Sequence, residues 1–382
     1  MNGKKVLLMA VALVLMFALV GCGSEAVDII DTTPEKSDDG LKIAIVTSPS
    51  GVDDGSFNQN NYDGILAFIA ANPGATVVPV RETDVANAIS TVESIVGDYD
   101  VIVTPGFQFG GITEIARANP DKYFILVDAF PADPDDPFGD PAEVANIYAM
   151  QFAEQESGFF AGIAAALETK ANKVGFIGGM AFPAVVNYQY GFESGVNYAN
   201  KNLGTNVELV NIASYAGTDV FDNNVGGNYV GAFDDEAGGK KIAEALIEQG
   251  ADIIFVAAGG SGNGAFTAAK EASGVLVIGC DVNQYADGVN GDENIVLTSA
   301  LKVMDINVER QLQAIKNGTF RGGNYTLKAD TDSTGYVFAD GNHQLGDEAL
   351  DALQKAYNDI KSGAIVPAGQ FTDFDATSFI GL

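Results

Sequence analysis

The chain has 382 residues, with 20 Lys and Arg against 51 Asp and Glu, for a formal net charge of −31. Affinity for nucleic acid rests mainly on Lys and Arg displacing phosphate counterions, so this excess of acid excludes that class and no nucleic-acid partner is expected. Hydrophobic residues make up 47% and charged ones 19%, ample for two compact halves with cores of their own. Two cysteines and one His support neither a disulfide framework nor a His/Cys metal site.

In chain order, Lys4 and Lys5 precede the uncharged run from Val6 to Val20. A positive start followed by a run of this length predicts a signal peptide over residues 1–21. The small residues ending in Gly21-Cys22 resemble a bacterial lipoprotein processing box, which implies lipid on Cys22. Residues 22–40 are polar, acidic and interrupted by Pro34, as in a flexible tether. The expected location is the extracytoplasmic face of the cell membrane, reached through the lipid anchor. Cys280 then has no partner and is expected to be a buried filler.

From Leu41 onward, short β-rich runs alternate with helical periodicity. Candidate strands fall at 41–48, 75–80, 100–105, 123–128, 146–150, 173–178, 207–212, 252–258, 275–280 and 294–300. Strands separated by helical stretches indicate βαβ units, and this number exceeds one ordinary sheet. The fold class is therefore α/β, with two doubly wound parallel-sheet lobes whose ligand crevice lies beyond the carboxyl ends of the strands. The stretch 131–143, with four prolines and five acids, is expected to be an exposed loop.

Several strand ends carry polar or glycine-rich signals. The first opens into Ser48-Pro49-Ser50-Gly51-Val52-Asp53-Asp54-Gly55, after which Ser56 and Gln59 have the spacing of a capping box for a helix that begins with Phe57 and Asn58. Phe57 is either a core aromatic beneath that helix or a stacking platform facing the crevice. Gly106-Phe107 follows the third strand. Asp128 and Asp281 each follow an apolar strand, where a carboxylate can bind vicinal hydroxyls or simply close an Asx turn or helix cap. Gly260-x-Gly262-x-x-Ala265 mimics a dinucleotide fingerprint, but export and a second complete lobe argue against a nicotinamide enzyme. Tyr188 shares a helical stripe with Val185, Phe192 and Val196, so a core role competes with a ligand role. Lys302 sits near a helix start, where a cation opposes the dipole and an anionic or hydroxylic partner would explain it. The fragment 330–335 opens like a calcium loop, but Gly341 stands where the bidentate Glu is required.

The segments VTSPSGVDDGSFNQ (46–59), TPGF (104–107), EQESGFFAG (154–162), IGGMAFPAVVNYQYGFESGV (177–196), AAGGSGNGAF (257–266), VIGCDVNQ (277–284) and LTSALK (297–302) occur in order. Together they resemble the basic membrane protein family of lipoproteins, the purine-nucleoside-binding components of ABC importers. The resemblance implies a hinged, type I periplasmic-binding-protein-like fold, with one lobe formed by 41–151 plus 283–315 and the other by 152–282 plus 316–382. It implies that Phe57 and Tyr188 sandwich a purine, that Asn58 and Asp128 fix the ligand, and that Gly260 gives close backbone contact. Asp281 would accept the ribose hydroxyls and Lys302 would reach the sugar side. Ser48 stands where members commonly have Asp, and Tyr188 where Phe is usual.

The candidate ligand-binding set is thus Ser48, Asp54, Phe57, Asn58, Phe107, Asp128, Tyr188, Gly260, Asp281 and Lys302. Phe57, Asn58, Asp128 and Lys302 are expected from one lobe, and Tyr188, Gly260 and Asp281 from the other. The expected function is capture of inosine, guanosine or adenosine by a monomeric, non-enzymatic receptor that needs no cofactor and hands its cargo to an ABC permease. The alternatives are a sugar or signal-molecule receptor of the same fold and, from another class, an NAD-dependent enzyme or an adhesin.

Overall fold

The computed structural model describes residues 40–136 and 139–369. The expected signal peptide, Cys22 and the tether up to residue 39 lie outside them, and everything below belongs to the unit Asp39–Leu382. No helix of the described residues is long and apolar enough to cross a membrane.

The chain begins with five strands of one sheet: β1 (Lys42–Thr47), β2 (Thr76–Arg81), β3 (Val101–Pro105), β4 (Tyr123–Val127) and β5 (Ile147–Phe152). Helices α1 (Phe57–Ala71), α2 (Ala88–Ile95) and α3 (Thr113–Ala118) connect the first four. After Ala153 the chain leaves this sheet through α4 (Glu154–Glu168). It then builds a second sheet with β6 (Lys173–Gly178), α5 (Pro183–Asn202) and β7 (Glu208–Val210). A small ribbon of β8 (Gly217–Thr218) and β9 (Asn224–Gly226) precedes α6 (Glu236–Glu248), β10 (Ile253–Ala257), α7 (Gly262–Glu271) and β11 (Leu276–Asp281). A second ribbon, β12 (Val289–Asn290) with β13 (Glu293–Asn294), leads to β14 (Val296–Lys302). The chain then returns through α8 (Met304–Lys316) to β15 (Gly323–Leu327) of the first sheet and crosses a last time to β16 (Thr334–Tyr336) and α9 (Asp347–Lys361).

The strand orders are β15-β5-β4-β3-β1-β2 and β16-β14-β11-β10-β6-β7. All neighbours are parallel except β14 and β16. Parallel strands are covered on both faces, which is why they read as near-continuous apolar runs. In β1, Ile43 and Ile45 face the core under α1 and α8, whereas Val46 joins Val92 and Ile115 on the opposite face. The second sheet repeats the scheme, with α4, α5 and α9 on one face and α6 and α7 on the other.

Each of the ten expected strands coincides with an observed one, but the lobe boundaries need correction. Residues 283–315 were expected in the first lobe, yet β14 pairs in parallel with β11 and so extends the second sheet. The return comes after Lys302, and only α8 belongs with the first sheet, packed on α1. Conversely, β15 lies within the span assigned to the second lobe but pairs with β5. An apolar strand does not carry the identity of its partner, so the sequence pattern fits either sheet.

The α4–α5 pair sets where Tyr188 sits. A Cβ at Gly162 would lie 2.2 Å from the Phe192 carbonyl oxygen, and one at Gly158 would lie 2.3 Å from that of Tyr188. These glycines let the two backbones touch. Gly162→Val is expected to force the helices apart and to cost about 3 kcal/mol or more. Urea unfolding checks this as a lowered midpoint; an unchanged midpoint would show that the pair yields freely.

Candidate functional site

A cavity between the two sheets lies off the carboxyl ends of β1, β3, β4, β10, β11 and β14. It encloses about 620 Å³ of space free of protein atoms, part of it open to solvent. Nine of the ten candidate residues line it: Ser48, Asp54, Phe57, Asn58, Phe107, Asp128, Tyr188, Asp281 and Lys302. Gly260 does not. Its neighbour Gly259 does, while a Cβ at Gly260 would approach the Phe233 carbonyl oxygen at 3.0 Å and Ser50 Cβ at 3.7 Å. Gly260 therefore packs tightly against Phe233 of its own half, with Ser50 of the other half at ordinary contact distance.

The start of α1 is built differently from the expected capping box. Ser56 makes no cap; its hydroxyl donates across the cleft to Asp281 Oδ2 at 3.0 Å. Asp54 takes over, accepting from the backbone N–H groups of Ser56, Asn58 and Gln59, each at 3.0 Å. Burial pushes the Asp54 carboxyl up, and these three donors oppose that shift. Its oxygens are committed to the helix N-terminus, where the dipole also favours an anion. Asp54 thus positions Asn58, whose Nδ2 donates to Ser48 Oγ at 2.9 Å and to Asp54 Oδ2 at 3.0 Å. Asn58 Oδ1 is buried and has no partner.

Asp128 and Asp281 occupy equivalent places at the ends of β4 and β11, and both adopt the left-handed backbone, with φ of 62° and 67°. That region is uncommon for non-glycine residues and is best tolerated by Asn and Asp. Asp281 accepts from Ser56 of one half and, at 3.0 Å, from Tyr188 Oη of the other. Burial raises the Tyr188 hydroxyl pKa well above the ordinary tyrosine value, and the Asp281 charge adds to this, so Tyr188 remains a donor. Asp128 Oδ2 receives Lys302 Nζ at 2.6 Å, while Asp128 Oδ1 is buried without a partner.

Lys302, expected from the first lobe, is the last residue of β14 and so comes from the second sheet at the crossover. It is only 2% exposed. Its ammonium lies 2.6 Å from Asp128, 3.5 Å from Glu154 and 3.8 Å from Asp281. It is also 4.8 Å from the Phe57 ring centre and 5.7 Å from that of Tyr188, within cation–π range of both. Burial alone would depress the lysine, but the carboxylates of Asp128, Asp281 and Glu154 outweigh it and hold its pKa above the ordinary value. The acid neighbours anticipated for this cation are therefore present.

Sequence reasoning missed Glu154, which reads as an ordinary first-turn helix acid, and the aromatic residues Phe182 and Phe233. Phe182 sits 5.6 Å from Phe107 and 5.9 Å from Phe233, ring centre to ring centre, so aromatic faces from both halves meet at the cavity. Phe182 precedes Pro183 at the start of α5, the one local signal that could have marked it. Cys280 is buried beside Asp281, and burial raises its thiol pKa well above the ordinary value, consistent with the filler expectation. Asp332 of the fragment 330–335 pairs with Lys361 at 2.6 Å. Cross-cleft bonds close the site: Ser50 Oγ donates to the Phe233 carbonyl at 3.1 Å, and Gln284 Nε2 to that of Gly55 at 3.3 Å.

Comparisons with known proteins agree with this architecture. The family model described as "ABC transporter substrate-binding protein PnrA-like" matches residues 41–218 and 213–368. The "ABC transporter nucleoside-binding protein BmpA" of Lactococcus lactis is 30% identical over 96% of this chain and 99% of its own length. "Basic membrane protein A1" of Borrelia garinii is 31% identical over 72% of this chain and 74% of its own. Among solved structures, an ABC transporter solute-binding protein from Aeropyrum pernix superposes with a TM-score of 0.70 at 23% identity, covering 87% of this chain and 94% of that one. One from Conexibacter woesei gives 0.61 at 19%, covering 87% and 100%; at such identities the likeness is one of fold. With the family model spanning almost all of the described residues, the chain belongs to the PnrA-like (Bmp) family of ABC transporter substrate-binding proteins.

Proposed function

We propose that this substrate-binding protein is a lipoprotein, anchored through Cys22, that captures a purine nucleoside in the cavity and delivers it to an ABC permease. The observation that carries this reading is the pair of buried acceptors without partners, Asn58 Oδ1 and Asp128 Oδ1, on two residues that line a cavity walled by aromatic rings. A buried polar atom left unpaired costs free energy, so the cavity calls for a ligand bringing N–H or O–H donors together with a flat apolar face. A nucleoside has both. In this reading Phe57 and Tyr188 supply the aromatic faces, Asn58 reads a donor on the base, and Asp128 and Asp281 receive sugar hydroxyls. The name of the Lactococcus relative points the same way.

Three acidic side chains around one ammonium also disfavour an added phosphate, which selects nucleosides over nucleotides. Stacking supplies roughly 1–3 kcal/mol per base, and hydrogen bonds to ionised groups about 1.5–3 each. Together these reach the roughly 8 kcal/mol of a micromolar complex. Mass spectrometry of ligand released from the chain, purified from its own cells without added nucleoside, is expected to find a purine nucleoside. A free sugar would favour the sugar-receptor reading, and a nicotinamide dinucleotide would overturn transport of nucleosides altogether.

A further inference from the structure

Glu154 is the first residue of α4, directly after the first crossover, and Lys302 stands directly before the second. Each is 2% exposed, and they meet at 3.5 Å. The second oxygen of Glu154 accepts from Nδ2 of Asn187, the residue preceding Tyr188 on α5, at 3.2 Å. The Glu154 carboxyl also faces the charge of Asp128. Two buried carboxyl groups beside a single ammonium repel each other, which favours a proton on one of them. Asp128 holds the closer ion pair with Lys302, 2.6 Å against 3.5 Å, which leaves the proton to Glu154.

We propose that Glu154 is the positioning residue for Lys302, a protonated carboxyl that keeps the ammonium on Asp128 and within the ligand cavity while tying the crossover to the helix that carries Tyr188. For its ligand this rests on the nucleoside reading above. Losing the proton converts Glu154 from a neutral neighbour of Asp128 into a rival for Lys302, and adds a negative charge to a site already rich in acid. The groups facing Glu154 are Lys302 from β14, Asp128 from the end of β4 and Asn187 and Tyr188 from α5, with Asp281 of β11 beyond Lys302. Its neighbour Glu156 is engaged elsewhere, on the Ala329 N–H and the Thr334 hydroxyl. Burial pushes the Glu154 carboxyl up to about 8, opposed by Lys302 and reinforced by Asp128, so ionisation occurs just above neutral pH. Ligand that prefers the protonated state is therefore held less tightly as pH rises through that value, and by reciprocity its binding takes up a proton.

Two readouts on the full chain in detergent test this. With lysine labelled by ¹³C at Cε, and the Lys302 signal identified by its loss in Lys302→Arg, the wild-type signal is expected to move with a midpoint near pH 8. In Glu154→Gln it is expected to stay still. Calorimetry with inosine is expected to show affinity falling about tenfold from pH 7 to pH 9 in the wild type and nearly constant in Glu154→Gln. Glu193→Gln, which removes the carboxyl that burial raises to about 7 next to Gln189, should keep the wild-type fall. A Lys302 signal that does not titrate, or the same pH profile in Glu154→Gln as in the wild type, would overturn the proposal. If no nucleoside binds at any pH but the Lys302 signal titrates only when Glu154 is present, the positioning role stands and the nucleoside reading fails.

Discussion

Lys302→Met is expected to be among the most damaging single substitutions in the chain. Methionine nearly matches the volume of lysine but leaves Asp128, Glu154 and Asp281 facing one another without the cation they share. Breaking a buried charge pair by removing one partner costs about 3–5 kcal/mol, because the remaining charge is left uncompensated. The deficit should shrink in acid. Burial already raises the Asp128 carboxyl, and once it takes a proton in the folded variant the stranded charge disappears. Urea unfolding of wild type and variant at pH 5 and pH 8 measures this directly. An equal loss at both values would show that the lysine stem contributes packing rather than charge.

Asp281→Asn should act on binding more than on folding. Asn tolerates the φ of 67° that this position imposes, and its amide oxygen can still accept from Ser56 or Tyr188. The negative charge is lost, and with it the strong acceptor for a sugar diol. Removing one member of a buried charged contact costs roughly 2–5 kcal/mol of binding, so nucleoside affinity should drop by about thirtyfold to several thousandfold. Thermal unfolding without ligand should change little by comparison. Affinity equal to wild type would take Asp281 out of the ligand site.

The strands and the positions of the site were legible because parallel strands leave a strong local trace. Apolar runs such as those of β3 and β10 are buried from end to end, and the glycine-containing turn that follows each run falls at the crevice. What escaped depends on partners distant in the sequence. β15 has the half-exposed sequence GNYTL and β16 only three residues, so neither carries a clear period. The lobe boundary at 283 followed from the resemblance, whereas a short ribbon leads from there into β14, which rejoins β11. The cap of α1 fell to Asp54 because Ser56 is drawn to Asp281, more than two hundred residues away in sequence. Glu154 is the sharpest case. A glutamate in the first turn of a helix is ordinarily a solvated residue favoured by the dipole, and only the approach of β4, α5 and β14 makes it the buried neighbour of Lys302.

Calorimetry of the full chain in detergent with inosine, guanosine, adenosine, their 5′-monophosphates and free ribose asks most directly whether the cleft holds a flat base joined to an uncharged sugar. We expect at least one of the three nucleosides to bind one to one at about micromolar Kd or tighter, with the monophosphates and ribose far weaker. Ribose binding as well as every nucleoside, or no binding by any of the three, would contradict it.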